Sequence, residues 1–319
     1  KSNFIDSLYT LSYGGSFRTR RDSDVCKHGY DEMGLDGSVS SPSGQRTIKI
    51  RYDGGKKRIE IDGEVIVDRK DMVHVSPSIV FRHDDMGFVN GSPDMQRWFV
   101  DQTASMYRPL YIDDSRRYRS ILKQRNRAIR DGRLDLLEIY DLEIAEVGVR
   151  IQHERAHVLH QFNAVFADEF QAIAGFAGDL RLEYLPSWRS ANTQADIVAH
   201  LISHRKRDES LGTTTSGPHR DRIVFRYEDR DFVTFGSTGQ MRIVALILRV
   251  AQARFFTEQS GRSPVLLLDD VLLELDPTRR ERFVSRLPDN EQAFFTFLPG
   301  EPHEYYRTED TMVYSVHDG

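Results

Sequence analysis

Residues 264–276 are the most informative stretch of this 319-residue sequence, and they read Pro-Val-Leu-Leu-Leu-Asp-Asp-Val-Leu-Leu-Glu-Leu-Asp. The four apolar residues 265–268 form a short uninterrupted run, which is typical of a strand buried on both faces of a parallel sheet. Asp269 and Asp270 follow directly, so both carboxylates are expected at the carboxyl end of that strand. Ligands of open α/β sheets collect at this edge.

Two adjacent carboxylates at such an edge suit a magnesium ion held between nucleotide phosphates, because Mg²⁺ prefers hard oxygen ligands. We therefore predict that Asp269 binds Mg²⁺ in the manner of a Walker B aspartate. Asp270 is predicted to be the catalytic residue that orients or deprotonates the attacking water. For the apolar run alone, the alternative is an ordinary core strand that ends in a solvated acidic loop.

A second motif, residues 235–242, reads Phe-Gly-Ser-Thr-Gly-Gln-Met-Arg and leads into a helical pattern. Small residues before a helix leave backbone N–H groups, and the positive end of the helix dipole, free to bind an anion. Alone, the pattern fits a plain capped helix start equally well. Because it precedes the strand that ends at Asp269, it indicates the signature loop of an ABC-type ATPase, formed around Ser237 and Gly239.

The third motif is Lys1-Ser2, which leads into apolar residues at helical spacing. A P-loop ends in Gly-Lys-Ser or Gly-Lys-Thr at a helix start, where the lysine reaches the phosphates and the hydroxyl binds Mg²⁺. The glycine-rich turn of such a loop supplies most of the phosphate-binding N–H groups. That turn is absent from the sequence, so residues 1–319 alone are expected to bind ATP poorly.

The remaining sequence alternates between strand and helix patterns. Residues 47–67 predict an antiparallel meander with turns at Asp53-Gly54-Gly55 and at Asp62-Gly63. Ser92-Pro93 predicts a capped helix start. Further strands are predicted at residues 73–81, 180–184, 223–227, 292–297 and 312–316, and a further helix at residues 240–256.

Residues 107–169 have a wholly helical pattern. Apolar positions from Leu137 to Val158 alternate steps of three and four, which indicates a heptad seam, and Asp131-Gly132 supplies a short turn between antiparallel helices. The predicted fold is α/β: an ABC-type ATPase head, formed by residues 1–106 and 170–319, with an inserted antiparallel helical-hairpin arm at residues 107–169. The alternative to an arm is a pair of ordinary core helices.

Composition narrows the class of protein. The sequence holds one cysteine, Cys26, so no intramolecular disulfide can form, and a reducing cytoplasm is the expected location. No apolar run is long enough to span a bilayer. The net charge of −5 gives no overall attraction to nucleic acid, so DNA binding would depend on local basic clusters.

Three basic clusters could bind DNA. The largest lies on the first arm helix, between Arg116 and Arg133, and its DNA-binding candidates are Arg116, Arg117, Lys123, Arg127 and Arg130. Smaller clusters are Arg18, Arg20 and Arg21, and the run His204-Arg205-Lys206-Arg207. Arg and Lys in such clusters are expected to contact phosphates without reading sequence. A solvated helix face is the alternative for each cluster taken alone.

A competing motif, His153-Glu154-Arg155-Ala156-His157, matches the His-Glu-x-x-His pattern of zinc proteases. The spacing places both histidines on one helix face, where zinc could bind with Glu154 as the base. Glu154 also falls on the predicted seam, and no third ligand string follows. A chance match on an arm helix is therefore preferred, and a non-catalytic scaffold that binds partners through the arm is a third alternative.

Four strings in chain order resemble the RecF family along essentially the whole sequence. They are Gly-Ser-Phe-Arg-Thr at residues 15–19, Asp-Met-Gly-Phe-Val-Asn-Gly-Ser-Pro at 85–93, Gly-Pro-His-Arg-Asp at 217–221, and Ser-Thr-Gly-Gln-Met-Arg at 237–242. Arg222 stands where the family usually has a second acid, and two positions of the last string differ from Ser-Gln-Gly-Gln-Gln-Arg. The family is related to the SMC and Rad50 ABC-type ATPases.

This resemblance implies an ATP-dependent DNA-binding protein of recombinational repair, acting at gaps and single-strand/double-strand junctions. It implies ATP and Mg²⁺ as cofactors, with Ser2 and Asp269 on the metal. ATP would join two subunits head to tail, so that Lys1 and Ser2 of one subunit face Ser237 and Gly239 of the other. Gln240 and Asp276 are the remaining nucleotide-binding candidates. RecR and RecO are the implied protein partners, in loading RecA.

Two residues differ from those found at the same positions in most ABC-type ATPases. Asp270 stands where most ABC ATPases have a glutamate base, and Thr296 stands where a switch histidine is common. Both features are similar to the RecF family itself. They imply slow ATP hydrolysis, suited to a clamp.

Overall fold

A computed structural model describes residues 1–41, 44–68, 70–288, 292–298, 300–301 and 303–316. The chain divides into two compact units, the first comprising residues 1–84 and 256–319 and the second residues 85–255. The prediction separated the helical hairpin from the head on both sides, at residues 106 and 170. The second unit instead contains the hairpin together with the elements before and after it. No helix in the described ranges is long and apolar enough to cross a membrane.

The helices and strands are numbered in chain order. The helices are α1 (Ser2–Tyr13), α2 (Lys70–Val75), α3 (Gly87–Asn90), α4 (Pro93–Tyr107), α5 (Pro109–Arg130), α6 (Leu137–Ile173), α7 (Gln194–Leu211), α8 (Thr238–Ser260) and α9 (Pro277–Ser285). The strands are β1 (Glu32–Ser41), β2 (Gly44–Asp53), β3 (Lys56–Ile61), β4 (Glu64–Val65), β5 (Ser78–Phe81), β6 (Leu180–Leu185), β7 (Arg222–Tyr227), β8 (Arg230–Asp231), β9 (Val265–Leu268) and β10 (Ala293–Phe295).

The first unit holds an antiparallel sheet in the order β1-β2-β3-β4. Its last three strands are the predicted meander, and the alternating residues Ile48, Ile50, Ile59 and Ile61 are buried against Met72. The turn after β2 uses Gly54 and Gly55 at positive φ, as a tight hairpin requires. Strand β1 was not predicted, because the polar and glycine-containing run from Glu32 to Ser41 lacks a strong strand pattern.

A parallel sheet in the order β10-β9-β5 forms the other layer of the first unit. Leu266, Leu267 and Leu268 are fully buried, which confirms the prediction of a buried parallel strand. The strand predicted at residues 73–81 is wrong in its first part. Residues 70–75 form α2, whose first N–H group, that of Lys70, donates to the Asp68 carboxylate at 2.9 Å. Only the segment after Pro77 pairs with β9.

The strand predicted at residues 312–316 is also wrong, since no strand forms there in the described part of the chain. Four of its side chains, those of Met312, Val313, Tyr314 and Val316, are exposed. Apolar alternation predicts a strand only where one face is buried, and this condition is not met here.

The second unit is built around the antiparallel hairpin of α5 and α6. The chain reverses at Asp131-Gly132, where Gly132 has a φ of +68°. Leu137, Ile144 and Val147 of the seam are buried, which agrees with the heptad pattern. Ser92 caps α4 by accepting a hydrogen bond from the Met95 N–H, with Pro93 as the first helical residue, as predicted.

An antiparallel sheet in the order β6-β7-β8 and the helices α7 and α8 complete the second unit. Strands β6 and β7 confirm the predictions at residues 180–184 and 223–227. Helix α8 begins directly after the loop that contains Ser237, and most of its residues up to Phe256 are buried.

Candidate active site

Asp269 and Asp270 lie at the carboxyl edge of the parallel sheet, as the sequence predicts. The Asp269 N–H donates to the Phe81 carbonyl of β5 at 3.1 Å, and the Thr296 N–H donates to the Leu268 carbonyl at 3.0 Å. These bonds continue the ladder one residue past β9 on both sides. The backbone that carries the two carboxylates is therefore fixed by its neighbours.

Asp270 adopts a left-handed backbone conformation with φ 53° and ψ 21°. Such a conformation costs a residue with a side chain about 1–3 kcal/mol, and it persists only where other contacts hold it. Thr296 supplies those contacts, because its hydroxyl accepts from the Asp270 N–H at 2.9 Å and donates to Asp270 Oδ1 at 2.9 Å. The threonine at the switch position thus holds the Asp270 carboxylate in place.

Ser2, the first residue of α1, contacts the Asp269 carboxylate. Its hydroxyl donates to Asp269 Oδ1 at 2.9 Å, and Lys1 Nζ donates to the Phe297 carbonyl. A serine hydroxyl and an aspartate oxygen this close are hard ligands of the kind Mg²⁺ takes from P-loop enzymes, with phosphate and water oxygens as its other ligands. The donor set present therefore fits magnesium.

A cleft of about 400 Å³ opens beside these residues. Its lining residues are Ser2, Phe17, Arg18, Arg82, His83, Asp84, Asp269 and Asp270. Sequence reasoning missed residues 82–84. The signal that could have found them is their place directly after β5, because β5 runs parallel to β9 and both strands end at one edge.

The loop after α1 is held by the buried carboxylate of Asp6. Asp6 accepts from the Ser16 hydroxyl at 2.7 Å and from the Phe17 N–H at 2.9 Å. The Ser16 hydroxyl in turn accepts from the Arg18 N–H at 2.9 Å. This network explains the Gly-Ser-Phe-Arg-Thr string, since it places Phe17 and Arg18 in the wall of the cleft.

The predicted signature loop belongs to the second unit. Ser237 and Gln240 form a reciprocal cap, in which the Ser237 hydroxyl accepts from the Gln240 N–H at 3.2 Å and Gln240 Oε1 accepts from the Ser237 N–H at 2.9 Å. Gly239 is exposed, and a Cβ added there would meet nothing within 4 Å. Packing within the subunit therefore does not explain a glycine at this position.

Asp276, the last of the nucleotide-binding candidates, is the N-cap of α9. Its side chain accepts from the Arg279 N–H at 3.0 Å and forms an ion pair with the Arg279 guanidinium at 3.4 Å. The residue is exposed, and both carboxylate oxygens face Arg279.

The five DNA-binding candidates on α5 are all exposed. Arg117 forms an ion pair with Glu146 at 3.2 Å, and Arg127 forms one with Asp131 at 3.3 Å. Lys123 and Arg130 have no carboxylate partner in the described part of the chain. Surface ion pairs of this kind contribute little and exchange readily for other anions.

Arg125 must be removed from the predicted basic cluster, because its side chain is 0% exposed. It forms ion pairs at 2.8 Å with Asp141 of α6 and Asp208 of α7, both also fully buried. Its third bond, at 2.8 Å, goes to the Thr214 hydroxyl. Arg205 of the third cluster also pairs with Asp141, so part of that charge is structural as well.

The His-Glu-x-x-His motif lies on α6, with both histidines exposed. Glu154 forms an ion pair with Arg108 at 3.2 Å, and Arg155 is buried between the carboxylates of Asp101 and Asp221. Within the described ranges, no three His, Cys, Asp or Glu side chains are grouped to hold a metal ion. The zinc alternative therefore gains no support from the structure.

The Gly-Pro-His-Arg-Asp string forms part of the same buried network. Asp221 accepts hydrogen bonds from the Ser187 N–H at 2.8 Å and from the Tyr184 hydroxyl. His219 accepts from the Tyr118 hydroxyl at 2.8 Å through Nδ1, and its Nε2–H donates to the Thr214 carbonyl at 3.0 Å. Burial lowers the pKa of His219 to about 4, so the ring is neutral.

Known proteins resemble the chain over nearly its full length, although no family model matches it. The DNA replication and repair protein RecF of Treponema pallidum (strain Nichols) is 40% identical over 331 residues, covering 100% of this chain and 90% of the relative. The protein of the same name from Leptospira interrogans (serovar copenhageni) is 31% identical, covering 93% of this chain and 82% of the relative.

Solved structures agree with these relatives. The recombination mediator protein RecF with ATP, in the RecFOR pathway, superposes with a TM-score of 0.85 at 26% identity, covering 94% of this chain and 84% of that chain. An Smc head bound to a winged-helix domain of ScpA has a TM-score of 0.52 at 13% identity, which is a likeness of fold alone. The comparisons confirm the predicted family resemblance and the α/β fold of an ABC-type ATPase head with an inserted helical hairpin.

Proposed function

The chain belongs to the RecF family of DNA replication and repair proteins, and on that premise we propose that it is an ATP-dependent DNA-binding protein of recombinational repair. In this proposal it clamps DNA at gaps or single-strand/double-strand junctions as an ATP-bound dimer. It hydrolyses ATP slowly, and it works with RecR and RecO in loading RecA.

The observation that carries the proposal is the cluster of Ser2, Asp269, Asp270 and Thr296 at one sheet edge. Ser2 and Asp269 lie 2.9 Å apart through their oxygens and would hold Mg²⁺, with Lys1 at the phosphates. Magnesium supplies positive charge that neutralises the triphosphate and its leaving group. Two protein oxygens are sufficient for Mg²⁺, because this ion keeps several water and phosphate ligands.

Asp270 would orient the attacking water and accept its proton. Its carboxylate is one methylene shorter than the glutamate of most ABC ATPases, and Thr296 already donates to Oδ1. The Oδ1 that receives this hydrogen bond is less available to a water molecule. Both features favour slow hydrolysis, which keeps an ATP-bound clamp closed.

Ser237 and Gly239 would act on the nucleotide of a partner subunit. The open space above Gly239 supports this role, because the absent side chain leaves room for a phosphate to approach the backbone of the loop. The cap uses the N–H groups of Ser237 and Gln240 and leaves those of Thr238 and Gly239, at the positive dipole end of α8, for that phosphate. Gln240 holds Ser237 in position, and Asp276 is proposed as a further contact across the dimer.

DNA would be held by phosphate contacts, some of them from the arm. Arg116, Arg117, Lys123, Arg127 and Arg130 line exposed positions of α5, which supports this role. Arg125 is excluded, since its charge is already neutralised by two buried carboxylates. Contacts of this type bind DNA without reading its sequence.

The test is ATP hydrolysis by the Asp270→Asn variant. A glycine-rich turn supplies most phosphate contacts of a P-loop. The assays therefore use a protein in which such a turn precedes Lys1, named here the extended chain. Asp270→Asn should bind ATP normally, hydrolyse it at least about tenfold more slowly, and accumulate as an ATP-bound dimer. Asp53→Asn, which changes an exposed carboxylate on β2, should behave as the unmodified protein. Normal hydrolysis by Asp270→Asn would overturn the assignment of the base.

A further inference from the structure

A small hairpin in the second unit presents an arginine beside the signature loop. Strands β7 and β8 pair Tyr227 with Arg230, so only Glu228 and Asp229 form the turn. Both turn residues have positive φ, at 46° and 66°. A two-residue hairpin turn of this kind requires positive φ at both positions and normally takes glycine or asparagine. Here Glu228 and Asp229 adopt it, and the longer glutamate does so at some cost in strain.

The hairpin end is held from the side by an ion pair. Asp229 pairs with Arg181 of β6 at 2.9 Å, and Arg226 pairs with Glu183 at 2.6 Å. Asp229 and Glu183 are thus each already paired with another arginine. Arg230, which leaves the turn, has no carboxylate partner within the described ranges.

Arg230 instead lies over the ring of Phe235, with its guanidinium carbon 4.7 Å from the ring centre. The ring is fixed from below, since it packs edge-on against Tyr227 at 5.7 Å and against Phe232 at 5.8 Å. Phe235 nevertheless remains 40% exposed. An arginine placed on a fixed aromatic ring loses little side-chain freedom when its N–H groups bind an anion.

The position of Arg230 and Phe235 indicates the class of ligand that they bind. Phe235 precedes Ser237 by two residues, so their Cα atoms lie within about 7 Å. The guanidinium over the Phe235 ring is therefore near the start of the loop that contains Ser237 and Gly239. The loop itself offers N–H groups and open space above Gly239. An exposed cation beside such a loop suits a polyphosphate, because guanidinium binds two phosphate oxygens at once.

We propose that Arg230, held by Phe235, contacts the phosphates of the ATP bound by a partner subunit, beside Ser237. This inference rests on the proposed function, since it assumes that the signature loop faces the partner's nucleotide. Arg230 would then bind only when a triphosphate is present across the interface. It would couple closure of the dimer to ATP, and it takes no part in binding ATP within its own subunit.

The test measures ATP-dependent dimerisation of the extended chain by sedimentation velocity, with Mg²⁺ and ATP, and ATP binding by dilute monomer in parallel. Arg230→Ala should weaken the dimer by about 10- to 100-fold, the usual loss for a charge-assisted contact to phosphate. Phe235→Leu removes the aromatic ring under the guanidinium and keeps the charge. It should weaken the dimer by about 3- to 10-fold, which is half of the Arg230→Ala effect on a logarithmic scale. Binding of ATP by the monomer should not change in either variant.

Arg222→Ala is the matched control, because Arg222 is an exposed arginine at the opposite end of β7 from the hairpin turn. It should leave the dimer unchanged. An unchanged dimer in Arg230→Ala, or a loss of ATP binding by its monomer, would overturn the inference.

Ser237→Arg separates this inference from the proposed function. It should abolish ATP-driven dimerisation and spare ATP binding by the monomer. If Ser237→Arg blocks the dimer and Arg230→Ala does not, only the role of Arg230 is wrong. If Ser237→Arg also leaves the dimer intact, the loop does not face the partner's nucleotide and the proposed dimer fails.

Discussion

Replacing Arg125 by methionine should strongly destabilise the second unit. Arg125 is fully buried and joins α5 to Asp141 of α6 and Asp208 of α7, with each bond at 2.8 Å. Methionine has a similar volume and no charge, so the substitution removes the cation and leaves the two carboxylates in place. The effect therefore measures the electrostatic role of Arg125 rather than its packing.

The expected loss of unfolding free energy follows from the partners that Asp141 and Asp208 keep in the variant. Asp141 retains Arg205 at 2.7 Å. From the described residues, Asp208 retains two neutral donors, the Thr215 N–H at 2.9 Å and its hydroxyl at 2.7 Å. Removing one partner of a buried ion pair costs about 3–5 kcal/mol. Because Asp141 keeps one cation, we expect about 3 kcal/mol, mostly from Asp208. Arg125→Met combined with Asp208→Leu should recover much of this loss.

Urea unfolding followed by tryptophan fluorescence gives the measurement, because both tryptophans, Trp98 and Trp188, belong to the second unit. Trp188 is 1% exposed and its Nε1–H donates to Ser216 at 3.1 Å, close in sequence to the Thr214 that Arg125 contacts. Arg127→Met, on the same helix and exposed, is the control and should not shift the transition. A loss below about 1 kcal/mol in Arg125→Met would refute the argument.

Two further predictions follow from the same unit. Changing both Arg127 and Arg130 to glutamate should shallow the log–log salt dependence of duplex binding by up to about two units, at roughly 0.9 per lost phosphate contact, and should weaken all sequences alike; an unchanged slope would remove these residues from the DNA site. In the folded chain the pKa of His219 is about 4, below its ordinary value of 6.5. Between pH 4 and pH 6.5 the unfolded chain therefore binds a proton at His219 that the folded chain does not. The free energy of unfolding should therefore fall by about 3 kcal/mol as pH decreases from 6.5 to 4. In urea titrations at several pH values, the free energy of unfolding of His219→Gln should fall less steeply with pH. Equal slopes in the two proteins would contradict the neutral buried ring.

Short sequence patterns predicted the elements that depend on a few neighbouring residues. The apolar run before Asp269 favours burial on both faces, and Ser92-Pro93 favours a helix start. Both were predicted correctly. The hairpin of α5 and α6 was predicted because its seam repeats over many turns. Its ends, at Pro109 and Ile173, differ by a few residues from the predicted 107 and 169, since helix ends depend on the neighbouring chain.

Charge patterns alone could not identify Arg125 as structural. Its partners Asp141 and Asp208 lie 16 and 83 residues away, so the ion pairs exist only in the folded unit. The sequence did contain one signal, because Arg125 falls on the helical face shared by Tyr118 and Ile129, both buried. A charged residue on a seam indicates a buried partner rather than a solvated face.

The cleft residues Arg82, His83 and Asp84 were missed for a different reason. The predicted strand ran from 73 to 81 with an interruption at Pro77, and nothing local showed that its end would pair in parallel with β9. Pairing between strands that lie far apart in sequence is decided by the whole sheet. Once β5 and β9 are known to be parallel neighbours, these residues join Asp269 at one edge without further assumption.

The dependence of ATP binding on magnesium tests the central claim most directly, because that claim assigns the metal to Ser2 and Asp269. Calorimetric titration of the extended chain with ATP should show tighter binding with Mg²⁺ than with EDTA. In Asp269→Asn this difference should largely disappear, since an amide is a weaker Mg²⁺ ligand than a carboxylate, while Asp270→Asn should retain it. A full magnesium effect in Asp269→Asn would contradict the assignment of the metal site.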